Sequence, residues 1–271
     1  MKLNTKRTVL VGFAFLSICA FWQMYDNLVP LILTNTFHLN ETFSGVIMAA
    51  DNILALFQLP LFGGLSDKCR SPLGRRRPYI LFGTLAAVAL MLGLPLLADS
   101  YHAAPAFSKL VIFIVVLDFL LIAMGTYRSP AVALMPDITP KPLRSKANAI
   151  INLMGAVGGI LYLLITTFLY KTSAEIYVSY FPLFAIVAGI MLAALAVIMF
   201  LVNEPKLVAE QKKYEDAHPE DNLAVETENG EALPGDVKRS LAFLLCSIAL
   251  SLSATTVLQP GFPSMPRVPG I

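Results

Sequence analysis

The stretch MAADNILALFQLPLFGGLSDKCRSPLGRRRPYILFGTLAAVALMLGLPLLADS, residues 48–100, holds two apolar runs joined by a loop with five cations and one acid. A helix needs roughly 20 apolar residues to cross about 30 Å of hydrocarbon. Both runs belong to segments of that length, so the stretch reads as a transmembrane hairpin. Outward from it, comparable runs recur at about 8–33, 42–65, 79–98, 110–135, 146–170, 179–202 and 240–258, seven in all. The first six are joined by short connections that hold the helix breakers and charges: HLNE, SDKCRSPLGRRRP, DSYHAAPAFSK, PDITPKPLR and KTSAEIY.

Composition agrees with an all-α membrane protein. Of 271 residues 56% are hydrophobic and 14% charged, and the mean hydropathy is +0.69. A soluble domain carries about 25% charge, and a chain of this size cannot bury so much apolar surface in its own core. A net charge of +2 with scattered cations argues against nucleic acid as a partner. Cys19, Cys69 and Cys246 lie far apart, without the spacing of a metal site or disulfide framework. The run after Arg7 exceeds the hydrophobic stretch of a signal peptide and lacks a small-x-small cleavage site, so it reads as a retained span.

Lys and Arg collect in short cytoplasmic loops. With the N-terminus inside, residues 2, 6, 7, 68, 70, 75–77, 141, 144, 146, 206, 212, 213, 238 and 239 supply sixteen cytoplasmic cations, against Lys109 and Lys171 outside. The expected organisation is a six-span bundle over 1–202, a charged cytoplasmic linker over 203–239, a seventh span at 240–258 and a proline-rich tail over 259–271. The linker carries ten acids and five bases and reads as solvated. In the tail, proline recurs at 260, 263, 266 and 269, which cannot continue a helix. The expectation is that the chain stops where a second bundle would begin.

Ionisable side chains inside a membrane cost about 2.5 to 3.5 kcal/mol on insertion scales. Asp26, Asp51, Asp118 and Arg128 fall inside spans. Counted from the outer ends of their runs, the three acids sit at one depth, about 12 to 14 Å down. A single such acid is as readily a packing hydrogen bond or a snorkelling carboxylate, but three at one level point to a wet cavity and to cation or proton coupling. Arg128 offers forked donors to a hydroxylated or anionic substrate, or else anchors the helix near the inner face. Spans one, two and four carry the acids; spans three and six carry no charge. Polar leading helices and plain closing ones suggest two inverted three-span repeats.

The loop Gly64-Leu65-Ser66-Asp67-Lys68, continuing through Gly74-Arg75-Arg76-Arg77-Pro78, resembles that of the major facilitator superfamily, G-x-x-x-D-(R/K)-x-G-R-R between helices 2 and 3. The longer GGLSDKCRSPLGRRRPYI, with MAADNILALFQLPLFGGLSD, LDFLLIAMGTYRSPAVALMPDITP and RSKANAIINLMGAVGGI, resembles glycoside-pentoside-hexuronide:cation symporters and the related sucrose:proton symporters. The resemblance runs over about residues 8–258. It implies a transporter of two six-span halves that moves a glycoside with a proton or sodium ion by alternating access. It makes Gly64, Asp67, Gly74, Arg75, Arg76 and Arg77 a conformational latch, and matches Asp118 to the fourth-span acid of the sucrose branch. Asp51 lies on the span that supplies cation-site acids in the sodium-coupled branch. No second acid follows it in that helix, which favours protons.

The expected function is therefore a sugar:cation symporter, with a bilayer, a small sugar and a proton (or sodium) as partners. Asp118, Asp51 and Asp26 are the ion-coupling candidates; Arg128, Asn152, Trp22 and Tyr25 are the substrate or gating candidates. The expected home is a plasma (inner) membrane. A missing C-terminal half or partner subunit is implied, and a truncated product that is inactive alone is the alternative. No nucleophile-base pair, metal cluster or phosphate loop is present in the sequence, so no enzyme, cofactor or metal is expected.

Overall fold

The computed structural model describes residues 4–169, 179–217 and 243. Residues 1–219 form one compact unit and 220–271 a second. The expected seventh span and tail, and the linker beyond residue 217, lie outside the described residues apart from Phe243.

Six long helices make up the first unit: α1 (Thr5–Leu31), α2 (Glu41–Lys68), α3 (Arg77–Ala103), α4 (Phe107–Ile138), α5 (Arg144–Leu169) and α6 (Phe181–Leu201). All six are long and apolar enough to cross a membrane. Among the described residues there is no strand. Helices α1 to α5 begin ahead of their apolar stretches, whereas α6 begins two residues later than its stretch. Asn4 caps α1 by accepting from the Arg7 N–H at 3.3 Å, and Asn40 caps α2 by accepting from Thr42 at 3.4 Å. Pro78 and Pro182 open α3 and α6 where a missing N–H costs nothing. Near the end of α1, Thr34 Oγ1 donates to the Pro30 carbonyl at 3.0 Å, and the chain widens into a π-helical segment, Ile32–Thr36.

Helix α1 packs on α5 and α6, α4 packs on α2 and α3, and α3 packs on α6. Exchanging α1 with α4, α2 with α5 and α3 with α6 leaves this set of pairs unchanged, the pattern of a three-plus-three repeat. Phe21, Met24 and Tyr25 of α1, Met91 and Leu94 of α3, Phe113 and Met124 of α4, and Phe184 and Met191 of α6 fill the core. In contrast α2 leaves Leu56, Phe57 and Leu61 exposed, and α5 leaves Leu153, Ile160 and Leu163 exposed.

The stretch after residue 203 departs from the expected solvated linker. Glu204–Ala217 forms a seventh helix, α7, and Glu204 and Gln211 are buried. Its charge hides a narrow contact stripe: Glu204, Leu207 and Gln211 recur at i, i+3 and i+7 on one face, and Leu207 packs on the core. Arg7 holds the middle of α7 through an ion pair to Glu210 at 2.7 Å.

Candidate functional site

Where α1, α2 and α4 meet, Trp22, Leu54, Ala55, Gln58, Leu121, Gly125 and Arg128 line a pocket of about 10 Å³. The guanidinium carbon of Arg128 lies 5.4 Å from the Trp22 ring centroid. Such a cation–π contact contributes about 0.5–1 kcal/mol, and about 2 when desolvated. A neighbouring clamp sets the rotation of α4. The Tyr127 and Ser17 hydroxyls lie 2.6 Å apart in the core, one donating to the other, and the Ala14 carbonyl lies within reach of both, at 3.1 and 2.9 Å, to take the remaining proton. With Tyr127 fixed against α1, the next residue, Arg128, is directed to the α1 face that carries Trp22. Trp22 in turn packs edge-on to Phe21 and Tyr25, at 5.5 and 5.4 Å.

Two of the substrate candidates, Trp22 and Arg128, are thus brought into contact. Tyr25 is buried in the core beside Trp22 and does not line the pocket. Asn152 is exposed on α5 and is not part of this cluster. Asp26 is exposed one turn beyond Trp22 on the same face of α1, and Asp118 is half-buried on α4. The Asp51 backbone belongs to α2, while its side chain lies outside the described ones. Along their helices the acids are evenly set: Asp26 lies ten residues before Thr36, Asp51 ten after Glu41 and Asp118 eleven after Phe107.

Gln58 was not among the residues singled out from sequence. It is 8% exposed and wedged against α4, where a methyl group on Gly125 would overlap its amide. Its Nε2 and the Nε1 of Trp22 are buried donors without a hydrogen-bond partner among the described residues. An amide in an apolar helix, two residues before Pro60, was the available signal.

At the other end of α2, the basic loop is folded around one side chain. Arg76, 5% exposed, pairs with Asp67 at 2.5 Å and with Asp137 of α4 at 2.9 Å. It also donates to the Ser66 hydroxyl at 2.5 Å and to the Gly63 carbonyl at 3.2 Å. Arg75 reaches Asp137 at 3.8 Å. Glu204 of α7 accepts the backbone N–H groups of Arg75, Arg76 and Arg77 at 2.8 to 3.1 Å, placing a carboxylate on the N-terminus of α3, where the helix dipole favours it. Gly74 has φ +115°, and a side chain there would collide with the Glu204 carboxylate. Arg77 donates to the carbonyls of Met199 and Leu73. Gly64 behaves otherwise than its place in the loop suggested: among the described residues nothing lies within 4 Å of the position a Cβ would take. Asp137 and Glu204 carry much of this cluster, and neither was named from sequence.

The model of the major facilitator superfamily matches residues 11–268. The chain belongs to the major facilitator superfamily. It is an integral, multi-pass membrane protein, and the loop just described joins its second and third helices. Among similar members, Sucrose transport protein SUC3 of Arabidopsis thaliana is 34% identical over 146 residues, 49% of this chain and 24% of that protein. Sucrose transport protein SUT4 of Oryza sativa subsp. indica is 28% identical over 170 residues, 58% of this chain and 28% of the relative. The match thus spans about a quarter of these relatives' length. No solved structure matches the chain.

Proposed function

We propose that the chain forms the N-terminal six-span part of a proton-coupled sugar symporter working by alternating access, with the N-terminus in the cytoplasm of a plasma (inner) membrane. The observation that carries this reading is the Arg128 guanidinium held over the Trp22 ring in a pocket between α1, α2 and α4. An aromatic face beside forked donors suits a hydroxylated ring. Similarity to sucrose transport proteins supports an oligosaccharide as cargo. Asp118, with Asp26 and Asp51 at corresponding positions on α1 and α2, is the coupling carboxylate of this reading, and protons fit better than sodium because α2 has no second intramembrane acid after Asp51. The cluster around Arg76 serves as the latch that holds one state.

A second reading is favoured by the apolar faces that α2 and α5 leave open: the chain acts only beside a further set of spans, supplied by a partner. Proteoliposomes decide between them. Uptake of a panel of radiolabelled disaccharides, sucrose among them, under an imposed pH gradient is measured for the chain alone and for the chain co-expressed with the C-terminal half of a sucrose transport protein, with and without a protonophore. Uptake that collapses with protonophore, and is halted by Asp118→Asn, is expected. Failure with every disaccharide in both arrangements would overturn the sugar reading; proton flux undiminished in Asp118→Asn would remove Asp118 from the mechanism.

A further inference from the structure

The polar lining of the Trp22 pocket is one-sided. Trp22 contributes an indole N–H and Arg128 contributes guanidinium N–H groups, neither of which can accept a hydrogen bond. Gln58 could do either, but its Oε1 lies against Gly125, leaving the amide nitrogen as its unpartnered end. Gln58 is 8% exposed, and a buried donor left unpaired is costly, so a helix that carries one there at a pocket wall holds it for an acceptor. The pocket volume of about 10 Å³ is room for one oxygen-sized group and no more.

We propose that Gln58 is a substrate-reading residue: its amide N–H, together with Trp22 Nε1–H and the Arg128 guanidinium, forms a seat for one acceptor oxygen of the sugar. This rests on the sugar reading above and adds a rule of selectivity to it. Most of the sugar stays outside the seat, and a single oxygen enters it. That oxygen is read as an acceptor, because nothing assigned to the seat takes a proton from it. Replacing the corresponding hydroxyl by fluorine, which can only accept, preserves binding; replacing it by hydrogen leaves three donors unpaired and loses it. Gly125 is the positioning residue, since only a residue without a side chain lets the amide lie flat on α4.

The chain reports on itself, because Trp22 is its single tryptophan. The purified full chain in lipid nanodiscs is titrated with sucrose and with its monodeoxy and monofluoro analogues, following Trp22 emission and displacement of radiolabelled sucrose. At one hydroxyl position the deoxy analogue is expected to bind about tenfold more weakly than sucrose, with the fluoro analogue close to sucrose. In Gln58→Met, which keeps the length and removes the donor, sucrose weakens by about tenfold and the gap between deoxy and fluoro analogues narrows. If sucrose and every analogue bind with no loss in Gln58→Met, the role of Gln58 is overturned while the sugar reading stands. If the unaltered chain treats deoxy and fluoro analogues alike at every position, the acceptor seat is overturned without recourse to any variant. If the unaltered chain binds no sugar by either readout, the sugar reading of the pocket falls, and the seat with it.

Discussion

Both carboxylate oxygens of Glu204 accept the backbone N–H of Arg76, at 3.0 and 3.1 Å. The side chain of Arg76 meanwhile reaches Asp67 at the end of α2 and Asp137 at the end of α4. One residue therefore joins three segments, two through its guanidinium and the third through its main chain. The charge of Glu204 meets three consecutive amides at a helix start, so its removal strands donors that are buried beneath α7.

Replacing Glu204 by alanine is expected to destabilise the unit by about 1–3 kcal/mol, the cost of leaving buried donors unsatisfied. Glu204→Gln keeps one acceptor oxygen and retains part of that stability. Thermal melts in detergent with limited proteolysis of 204–217 provide the check. An alanine variant that melts with the parent, with α7 equally protected, would show the clasp to be idle.

Gly74→Ala meets two obstacles at once, a backbone at φ +115° and the carboxylate of Glu204. The backbone strain alone costs about 1–3 kcal/mol. Pairing it with Glu204→Ala separates them: relief of only the steric part is expected, so the double variant is less stable than Glu204→Ala by the backbone share. Strict additivity of the two losses would mean that no collision exists.

Asp67 and Asp137 both hold Arg76, but with unequal consequences. The Asp67 side chain is 54% exposed and that of Asp137 20%. Solvent screens the first pair, so Asp67→Asn is expected to cost about 0–1 kcal/mol. Asp137→Asn weakens the partner of a buried cation and costs more, toward about 3 kcal/mol. Denaturation midpoints of the two single variants and the double settle the order; a larger loss from Asp67→Asn would reverse this reading of the cluster.

The six spans and the basic loop were legible in the sequence because each is a local property. Run length names a crossing helix, and Gly74 with its arginines stands in one short segment. Glu204 and Gln58 were hidden for the opposite reason. Glu204 looks like one acid among ten in a charged stretch, and its role depends on amides about 130 positions earlier in the chain. Gln58 looks like one of two amides in an apolar helix until Gly125, on another helix, makes room for it. The approach of Trp22 to Arg128 likewise follows from helix rotation, which Tyr127 and Ser17 fix through a contact that spacing cannot reveal.

Cys19 offers a chemical probe of the same region. It is half-buried on α1, one turn before Trp22, and within the electrostatic reach of Arg128. With Cys69 and Cys246 changed to serine, a small methanethiosulfonate reagent is expected to label Cys19 several-fold more slowly when saturating sucrose is present. Labelling rates followed by mass spectrometry test this. Equal rates with and without sugar would place the ligand elsewhere.

The two equivalent seams of the bundle are built differently. Where α5 lies on α1, Gly158 meets the backbone of Leu16 with no space for even a methyl group, main chain pressed on main chain. At the matching seam of α2 on α4, the Gln58 amide fills the gap at Gly125. A weld and a key take load differently: the first can only break, whereas the second turns about side-chain bonds. Any bending within these six helices is therefore expected along α2, the helix that carries Gln58, before it is expected along α5.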